Sequence, residues 1–291
     1  MPFEIVRSEK LHETIFLLEV KAPRIAAKAK AGNFIILRAH EKGERIPITI
    51  ADSNKEAGTI VLVIQIVGKT SALLSTYKKG DTLQDLVGPL GRATNVKKYG
   101  TIAIVAGGVG IPLAHPVAQA FKKAGNHVIS IIGARTKELL IWEDKMKKAS
   151  SEVKVSTDDG SYGFKGFTTQ LLEKTIEEQK LKNNPIDFVF TVGPAIMMKF
   201  ITKVTEKYNI PTEASLNSIM VDGTGMCGAC RVTVGGETKF ACVDGPEFNA
   251  HRVDWDELMT RLSQYKQQEV EAYDLYKKKR EKGHNCQCGG R

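Results

Sequence analysis

The segment from Val221 to Cys242 constrains the fold of this chain more than any other part of the sequence. It places Asp222, Cys227, Cys230 and Cys242 in the pattern D-x4-C-x2-C-x11-C, on a loop rich in glycine. Plant-type 2Fe–2S clusters are held by cysteines spaced C-x4-C-x2-C, with a fourth cysteine further along. The spacing matches, with the Asp222 carboxylate in the place of the first thiolate. Because glycines let backbone N–H groups approach a cluster, we predict a 2Fe–2S site with these four residues as metal ligands.

Two alternatives for this segment stay open. Structural zinc sites favour two C-x2-C pairs or sets of cysteine and histidine, and this loop contains one such pair. In the other alternative the three cysteines are ligands, Asp222 only shapes the turn, and the fourth ligand lies elsewhere. The chain has five cysteines. We assign no function to Cys286 and Cys288, which follow a lysine-rich run at the C-terminus, where chains are commonly disordered.

The spacing of apolar residues divides the rest of the sequence into a β region and an α/β region. Up to about residue 97, β-branched and apolar runs bounded by turn residues predict a β barrel, with strands at Glu13–Val20, Asn33–Ala39 and Gly58–Val67. From Tyr99 onward, buried strands alternate with helices, which predicts a parallel sheet with crossover helices. The predicted strands are Thr101–Val105, Val128–Ile132, Val153–Ser156 and Asp187–Val192, and the predicted helices are Leu113–Lys123, Lys137–Lys147 and Thr168–Gln179.

These patterns predict four parts. They are a β-barrel domain over residues 1–97, an α/β domain over 98–213, a cluster-binding module over 214–251 and a charged helical extension over 252–291. In the extension, apolar residues from Trp255 to Tyr265 recur at helical spacing. We expect this helix to dock on a larger partner, and packing against its own domain is the alternative.

Three glycine-rich turns follow predicted strands of the α/β region. The first, Ala106–Leu113, opens a helix, so a pyrophosphate could approach the backbone and meet the helix N-terminus. Leu113 replaces the last glycine of the G-x-G-x-x-G fingerprint, so this is not the usual dinucleotide motif. Glycine turns without a ligand are common, and that alternative stays open. The candidate dinucleotide-binding residues are Gly107, Gly108, Gly110, Asp158, Gly193 and Pro194.

Charge and composition exclude several function classes. The formal net charge is +9, but the run Lys277–Lys282 alone contributes five basic residues against one acidic residue. The remainder has no basic stripe interleaved with aromatic residues, so we expect no nucleic-acid partner. No apolar run reaches the ~18 residues of a membrane span, and the N-terminus lacks the pattern of a signal peptide. We therefore expect a cytoplasmic protein without a membrane partner.

A β barrel, a nucleotide-binding α/β domain and a plant-type cluster loop, in this order, resemble the ferredoxin–NADP reductase superfamily. Within it, residues 1 to about 260 resemble two groups of subunits. One is the electron-transfer subunits of dihydroorotate dehydrogenase, and the other is the small (alpha) subunits of NADH-dependent ferredoxin:NADP oxidoreductase, also called sulfide dehydrogenase subunits. The first group typically has a cysteine at the position of Asp222, so the aspartate favours the second. The resemblance implies FAD in the barrel domain, NAD(H) in the parallel-sheet domain and the 2Fe–2S cluster in the small C-terminal module.

The resemblance also carries site residues over. Arg45 and its neighbours match the R-x-P-x-[ST] flavin motif, with the arginine near the FAD pyrophosphate, and Gly88–Gly91 matches the linker from barrel to sheet. Gly193 and Pro194 match the G-P-x-x-M motif near the nicotinamide, together with Met197 and Met198. The residues implied for FAD are Arg45, Pro47, Ile48, Thr49, Gln65, Val67, Gly68, Thr70 and Ser71.

The leading hypothesis is an enzyme subunit without catalytic acid–base residues of its own. It would exchange hydride with NAD(H) and pass electrons through flavin and cluster to a larger flavin/iron–sulfur subunit, and through it to ferredoxin, in a heterodimer or larger assembly. Electron transfer to dihydroorotate dehydrogenase is the alternative, and a cluster-based redox sensor is a third possibility. His115 is expected to be a packing residue. Arg135 favours NADP locally, whereas the resemblance favours NAD.

Overall fold

The first domain of the computed structural model consists of two antiparallel sheets around one core. The structure describes residues 3–281, so Cys286 and Cys288 lie outside the described residues. The sheets have the strand orders β5-β6-β2-β1-β7 and β4-β3-β8. The elements are β1 (Phe3–His12), β2 (Ile15–Lys21), α1 (Pro23–Ala26), β3 (Phe34–Arg38), β4 (Arg45–Thr49), β5 (Asp52–Asn54), β6 (Thr59–Gln65), α2 (Lys69–Leu74), β7 (Thr82–Leu83) and β8 (Asp85–Leu90).

Strand β2 explains why this domain packs on the next one. Its residues alternate between two faces, as strand geometry requires. Phe16 and Leu18 face the barrel core, whereas Ile15 and Leu17 pack in a second apolar cluster with Ile141 of the following domain. Both faces are buried, which is why the strand reads as a continuous apolar run.

The second domain is a parallel sheet with helices on both faces. Its elements are β9 (Thr101–Gly107), α3 (Gly110–Lys123), β10 (His127–Ala134), a 3-10 turn at Lys137–Leu139, α4 (Glu143–Ala149), β11 (Glu152–Thr157), β12 (Phe164–Lys165), α5 (Thr168–Leu181), β13 (Phe188–Val192), α6 (Ala195–Lys207) and β14 (Thr212–Ser215). The strand order is β12-β11-β10-β9-β13-β14-β17. Strands β10 to β12 are added on one side of β9, and β13 and β14 are added on the other side. The order of the strands therefore reverses between β9 and β13, and ligands of such sheets bind at this switch point.

The third part contains a hairpin, an edge strand and two helices. Its elements are β15 (Arg231–Val234), β16 (Glu237–Phe240), β17 (Glu247–Asn249), a 3-10 turn at Ala250–Arg252, α7 (Trp255–Ser263) and α8 (Lys266–Glu281). Strand β17 pairs antiparallel with β14, so the cluster-binding part extends the sheet of the nucleotide domain. No helix within residues 3–281 is long and apolar enough to cross a membrane.

Three details differ from the sequence-based expectations. The helix expected over Lys137–Lys147 is a 3-10 turn followed by the shorter helix α4, with Trp142 between them in a left-handed conformation (φ 60°). The expected boundary after residue 213 falls inside β14. Helix α7 packs against its own domain, because Trp255 and Leu258 are buried in the core that also contains Cys230. Those two side chains are therefore not available to a partner.

Candidate functional site

A cavity of about 1240 Å³ lies where the three parts of the chain meet. This is larger than the ~300–1,000 Å³ of ordinary small-ligand pockets, so it is large enough for more than one nucleotide-sized group. The barrel contributes Phe34 and β4, the parallel sheet contributes its glycine turns, and the segment before the cluster loop contributes Met220. Helix α8 adds Glu269 and Ala272.

All but one of the predicted cofactor-binding residues line this cavity. The exception is Arg45, which is exposed and whose side chain makes no hydrogen bond or ion pair with any residue in the range 3–281. Side chains alternate along β4, and Ile46 and Ile48 pack against the barrel core, so Arg45 shares the outer face with Pro47 and Thr49. The guanidinium of Arg45 is therefore exposed on the same face of β4 as two cavity residues. The lining residues are Pro47, Ile48, Thr49, Gln65, Val67, Gly68, Thr70, Ser71, Gly107, Gly108, Gly110, Asp158, Gly193, Pro194 and Met197.

The loop between β6 and α2 is shaped by Ser71. Its Oγ accepts hydrogen bonds from the backbone N–H groups of Val67 and Gly68, both at 3.0 Å. The neighbouring Thr70 donates its hydroxyl to Glu44, just before β4. The Thr70 bond thus links the second FAD segment implied by the resemblance to the residue that precedes the first.

The glycine turns after β9 and β13 pack directly on each other. A Cβ on Gly110 would lie 2.5 Å from the carbonyl oxygen of Val192, and one on Gly107 would lie 2.6 Å from Sδ of Met197. Gly193 has φ +152°, and its Cβ would lie 3.2 Å from the Gly107 nitrogen. These three glycines are required by packing at the switch point.

Gly108 differs from its neighbours. Its φ is +56°, and a Cβ there would meet nothing within 4 Å, although the residue lines the cavity. The backbone at this position is thus open to a ligand at the start of the 14-residue helix α3. An open glycine beside a helix N-terminus suits a pyrophosphate, because the backbone N–H groups and the helix dipole both favour an anion.

Arg135 and Asp158 lie side by side at the carboxyl edge of the sheet. They directly follow Ala134 and Thr157, which are paired in the parallel register of β10 and β11, and the Asp158 N–H donates to the Ala134 carbonyl at 3.1 Å. Both residues line the cavity. Partial burial, together with Asp159, raises the pKa of Asp158, and Arg135 opposes this rise. The two residues thus offer opposite charges at one position.

The cluster loop places the predicted metal ligands in two pairs. The Cys227 thiol lies 3.2 Å from Oδ1 of Asp222, and the Sγ atoms of Cys230 and Cys242 are 3.1 Å apart. Cys230 and Cys242 are buried, and Cys227 is exposed. Within residues 3–281 no group of three or more His, Cys, Asp or Glu side chains surrounds a site for a single metal ion. Two pairs of ligands fit a two-iron cluster, in which each iron takes two protein ligands, better than a mononuclear zinc site.

The protonation of these ligands follows from their surroundings. Hydrogen bonds, first from Cys227 and then from Thr224 and Met226, lower the pKa of Asp222 to about 2, so its carboxylate is ionised. Burial, followed by the adjacent Cys230, raises the pKa of the Cys242 thiol to about 12. A bound iron reverses the preference of a thiol, because the metal charge favours the thiolate.

The cavity and the cluster loop share one hydrophobic core. Phe34 lines the cavity and packs in the same apolar cluster as Cys230 and Cys242. A Cβ on Gly223, which follows Asp222, would lie 2.7 Å from Ile36 of the same strand. The barrel strand β3 thus connects the two sites through packed side chains.

His115 is a packing residue, as expected from the sequence. Its side chain is 4% exposed, and its ring meets the ring of Trp142 edge-on at 5.4 Å between centroids. Burial lowers the pKa of His115, so its imidazole is neutral at pH 7.

Several residues that line the cavity were not predicted from the sequence. Asn217 and Ser218 follow β14, and a position after the carboxyl end of a parallel strand was the available signal. Thr168–Gln170 open α5 on the same side of the sheet. Glu269 and Ala272 had no local signal, since their position depends on how α8 returns to the barrel.

This fold and this pair of sites define a class, the ferredoxin-reductase-like electron-transfer proteins with an added iron–sulfur domain. Residues 217–254 match the iron–sulfur cluster binding domain of dihydroorotate dehydrogenase B. The chain is 49% identical to a dihydroorotate dehydrogenase B (NAD(+)) electron transfer subunit homolog of Thermotoga maritima, over 94% of this chain and 95% of the relative. It is 32% identical to the dihydroorotate dehydrogenase B (NAD(+)) electron transfer subunit of Desulforamulus reducens, over 83% and 93%. The chain belongs to the family of dihydroorotate dehydrogenase B electron transfer subunits.

Solved structures agree with this assignment. A chain from the structure of the NADH-dependent reduced ferredoxin-NADP oxidoreductase, described for flavin-based electron bifurcation, superposes with a TM-score of 0.87 at 46% identity. The match covers 95% of this chain and 98% of that one. A ferredoxin NADP+ reductase from Neisseria gonorrhoeae, solved with FAD and NADP, shares the fold at 19% identity, with a TM-score of 0.57. The predicted fold class, family resemblance and cofactors (FAD, NAD(H) and 2Fe–2S) are confirmed.

Proposed function

We propose that this chain is the FAD and 2Fe–2S electron-transfer subunit of a complex of the NADH-dependent ferredoxin:NADP oxidoreductase type. Its partner is a larger flavin/iron–sulfur subunit, through which it communicates with ferredoxin. One observation carries the proposal. A single cavity joins the flavin strand β4 to the dinucleotide turns of the parallel sheet, and it shares a core with the cluster loop through Phe34. When bound, FAD exchanges a hydride with nicotinamide and single electrons with a 2Fe–2S cluster.

The barrel side of the cavity would hold FAD. The free guanidinium of Arg45 neutralises the pyrophosphate, while Pro47, Ile48 and Thr49 form the wall along β4. On the opposite side, Gln65, Val67, Gly68, Thr70 and Ser71 form the second wall, whose loop is kept in shape by the Ser71 hydroxyl.

The sheet side of the cavity would hold NAD(H). Gly108 leaves space for the pyrophosphate, and Gly107, Gly110 and Gly193 hold the two turns together. Pro194 and Met197, at the start of α6, lie beside the place where nicotinamide must meet the flavin. Asp158 is placed to accept a hydrogen bond from the ribose 2′-hydroxyl, and its charge disfavours a 2′-phosphate.

The two pairs of ligands would bind different irons of the cluster, an outer iron near the surface and an inner iron in the core. Asp222 and Cys227 would bind one iron near the surface, and Cys230 and Cys242 would bind the other within the core. An oxygen ligand on the outer iron changes its donor set relative to a four-cysteine site. This is one of the means by which a protein sets a cluster potential.

The role of Asp158 provides the test of the proposal. The holoprotein, reduced anaerobically, should lose its flavin absorbance faster with NADH than with NADPH. Asp158→Asn should shift this preference toward NADPH by about tenfold, since removing one charge repulsion is worth on the order of 1.4 kcal/mol. Asp159→Asn is the matched control, because Asp159 bonds to Ser161 and does not line the cavity. A holoprotein without flavin, or one not reduced by either nucleotide, would contradict the proposed function.

Electron transfer to dihydroorotate dehydrogenase is the second candidate, and the names of the relatives favour it. Asp222 favours the first, because it stands where the dihydroorotate dehydrogenase subunits typically have a cysteine. The complex isolated from its source through a tag on this chain distinguishes them. NADH- and ferredoxin-dependent reduction of NADP supports the first candidate, and reduction of NAD by dihydroorotate supports the second.

A further inference from the structure

Helix α8 leaves the cluster-binding part and returns to the barrel. Before it, α7 is anchored by the buried Trp255 and Leu258 and by a hydrogen bond from Arg261 to the carbonyl of Ala229. Helix α8 then packs against α2, and its residues Glu269 and Ala272 line the mouth of the cavity. With 16 residues, α8 is about 24 Å long.

Helix α8 has little apolar contact of its own to hold it there. It contains no buried residue, and Val270 and Leu275 are more than half exposed. Its half-buried residues are Ala272, Tyr273, Asp274 and Tyr276, and all of these except Asp274 lie on one face together with the cavity residue Glu269. A charged helix of this length is marginal by itself in water, so its contacts across the cavity mouth matter for its position.

The position of α2 shows which end of the cavity α8 covers. Strand β4 separates Arg45 from Thr49 by about 13 Å. Thr49 pairs with Phe34, which packs in the core of the cluster ligands, so the Thr49 end is the cluster end. At the other end Thr70 of α2 bonds to Glu44, next to Arg45. Helix α8 starts near the cluster-binding part, and through its packing on α2 it reaches the Arg45 end of the cavity.

We propose that α8 closes the adenosine end of the FAD site. This rests on the FAD assignment above, which places the pyrophosphate at Arg45, and electron exchange with the cluster requires the flavin ring at the Thr49 end. Ala272 allows a close approach of the ligand. The Glu269 carboxylate accepts hydrogen bonds from the donor groups of adenosine, namely its ribose hydroxyls and its amino group. FMN lacks the adenosine half of FAD. Helix α8 therefore raises the affinity for FAD relative to that for FMN.

The test compares the dissociation constants of FAD and FMN for the full chain and for a chain ending at Tyr265. Affinity is measured on flavin-free protein by fluorescence, and the cluster absorbance and circular dichroism report on folding. Loss of α8 should weaken FAD binding at least about tenfold and leave FMN binding unchanged, as expected when hydrogen bonds to a charged group are lost. A chain ending at Glu281 is the control for removal of the terminal residues.

A point variant keeps the test independent of truncation. Glu269→Ala should weaken FAD alone by about tenfold. Glu271→Ala removes the same charge from a residue of α8 that does not line the cavity, and it should have no effect. Equal losses for FAD and FMN, or unchanged FAD affinity in both the truncated chain and Glu269→Ala, would overturn the inference while leaving FAD binding itself intact. A full chain that binds neither flavin would instead count against the proposed function.

Discussion

The carboxylate of Asp222 shapes the cluster loop, and it is also the proposed oxygen ligand of the outer iron. It accepts hydrogen bonds from Thr224 and Met226, which shape the turn, and it lies 3.2 Å from the Cys227 thiol, where it can act as a ligand. The sequence left these roles as alternatives. The two roles are geometrically compatible: Oδ2 receives the Thr224 hydroxyl and the Met226 N–H, while Oδ1, the oxygen nearest the thiol, accepts only a longer bond of 3.3 Å from the Thr224 N–H.

Substitution of Asp222 separates the two roles. Asp222→Cys should retain a 2Fe–2S cluster with a changed midpoint potential, because a softer sulfur donor replaces oxygen on the outer iron. Asp222→Ala should retain the fold but shorten the cluster lifetime. EPR combined with potentiometry measures both effects.

Asp244→Asn is the matched control for charge near the cluster. Asp244 accepts a hydrogen bond from the Phe240 N–H, close to Cys242, and asparagine preserves that acceptor. Identical EPR spectra and midpoints in wild type and both Asp222 variants would show that Asp222 only shapes the turn.

At the scale of the element, the turn from β9 to α3 combines two kinds of glycine. Gly107 and Gly110 are fixed by contacts with Met197 and Val192, whereas Gly108 has open space in front of it. A substitution at the first two would disturb the packing of two turns. Gly108 is therefore the position at which dinucleotide binding can be tested without a clash in the protein.

Gly108→Ala should weaken NADH binding by about tenfold or more while FAD content stays the same. The added methyl group occupies the space that the pyrophosphate needs. The left-handed backbone itself adds only about 1–2 kcal/mol of strain. The measurement is the NADH concentration dependence of flavin reduction. Gly80→Ala provides the control, since Gly80 also has a positive φ (+94°) and open space but does not line the cavity. Equal behaviour of the two variants would mean that the turn has been misassigned.

At the scale of the whole molecule, the half-buried carboxyl group of Glu247 lies where the three parts meet. Glu247 of β17 accepts a hydrogen bond from Thr94 of the linker at 2.7 Å, and a Cβ on Gly32 of the barrel would lie 2.7 Å from the same oxygen. Burial raises the pKa of Glu247 to about 8, Glu213 adds to this effect, and the Thr94 hydrogen bond opposes it. The folded protein therefore keeps this group protonated at pH 7.

The raised pKa of Glu247 makes the free energy of unfolding depend on pH in a defined direction. Below about pH 4.5, the ordinary pKa of glutamate, Glu247 is protonated in both the folded and the unfolded protein and does not reduce the free energy of unfolding. Between there and pH 8 only the unfolded chain loses its proton, so the free energy of unfolding falls as pH rises, by on the order of a few kcal/mol in total. Above pH 8 both states are ionised and this contribution is constant.

Glu247→Gln should remove that dependence. The amide carbonyl still accepts the Thr94 hydrogen bond, so the variant should match wild type near pH 5 and exceed its stability at pH 8. Denaturant unfolding of the holoprotein at both pH values measures the difference. Glu56→Gln, at an exposed turn of the barrel, should follow wild type throughout. A variant that loses stability in parallel with wild type would show that Glu247 is ionised in the folded state.

Local patterns in the sequence were sufficient to predict most of the fold and the kinds of cofactor that the chain binds. The cluster ligands lie within 21 consecutive residues, from Asp222 to Cys242, and each glycine turn directly follows its strand. Backbone geometry over such short distances depends on neighbouring residues, so spacing alone locates these features. Buried strands of the parallel sheet were found for the same reason, since both of their faces are apolar.

The features that the sequence left open depend on contacts between distant segments. Strand β17 joins the sheet through β14, and Glu247 is half-buried against Thr94 of the linker and Gly32 of the barrel. The side chains of Trp255 and Leu258 have the spacing of an exposed amphipathic helix, yet they complete the core of the cluster domain. Helix α8 reaches the cavity only because α7 is anchored first. Burial and pairing of this kind are properties of the packed chain, since the free energy of each contact depends on partners that no local pattern specifies.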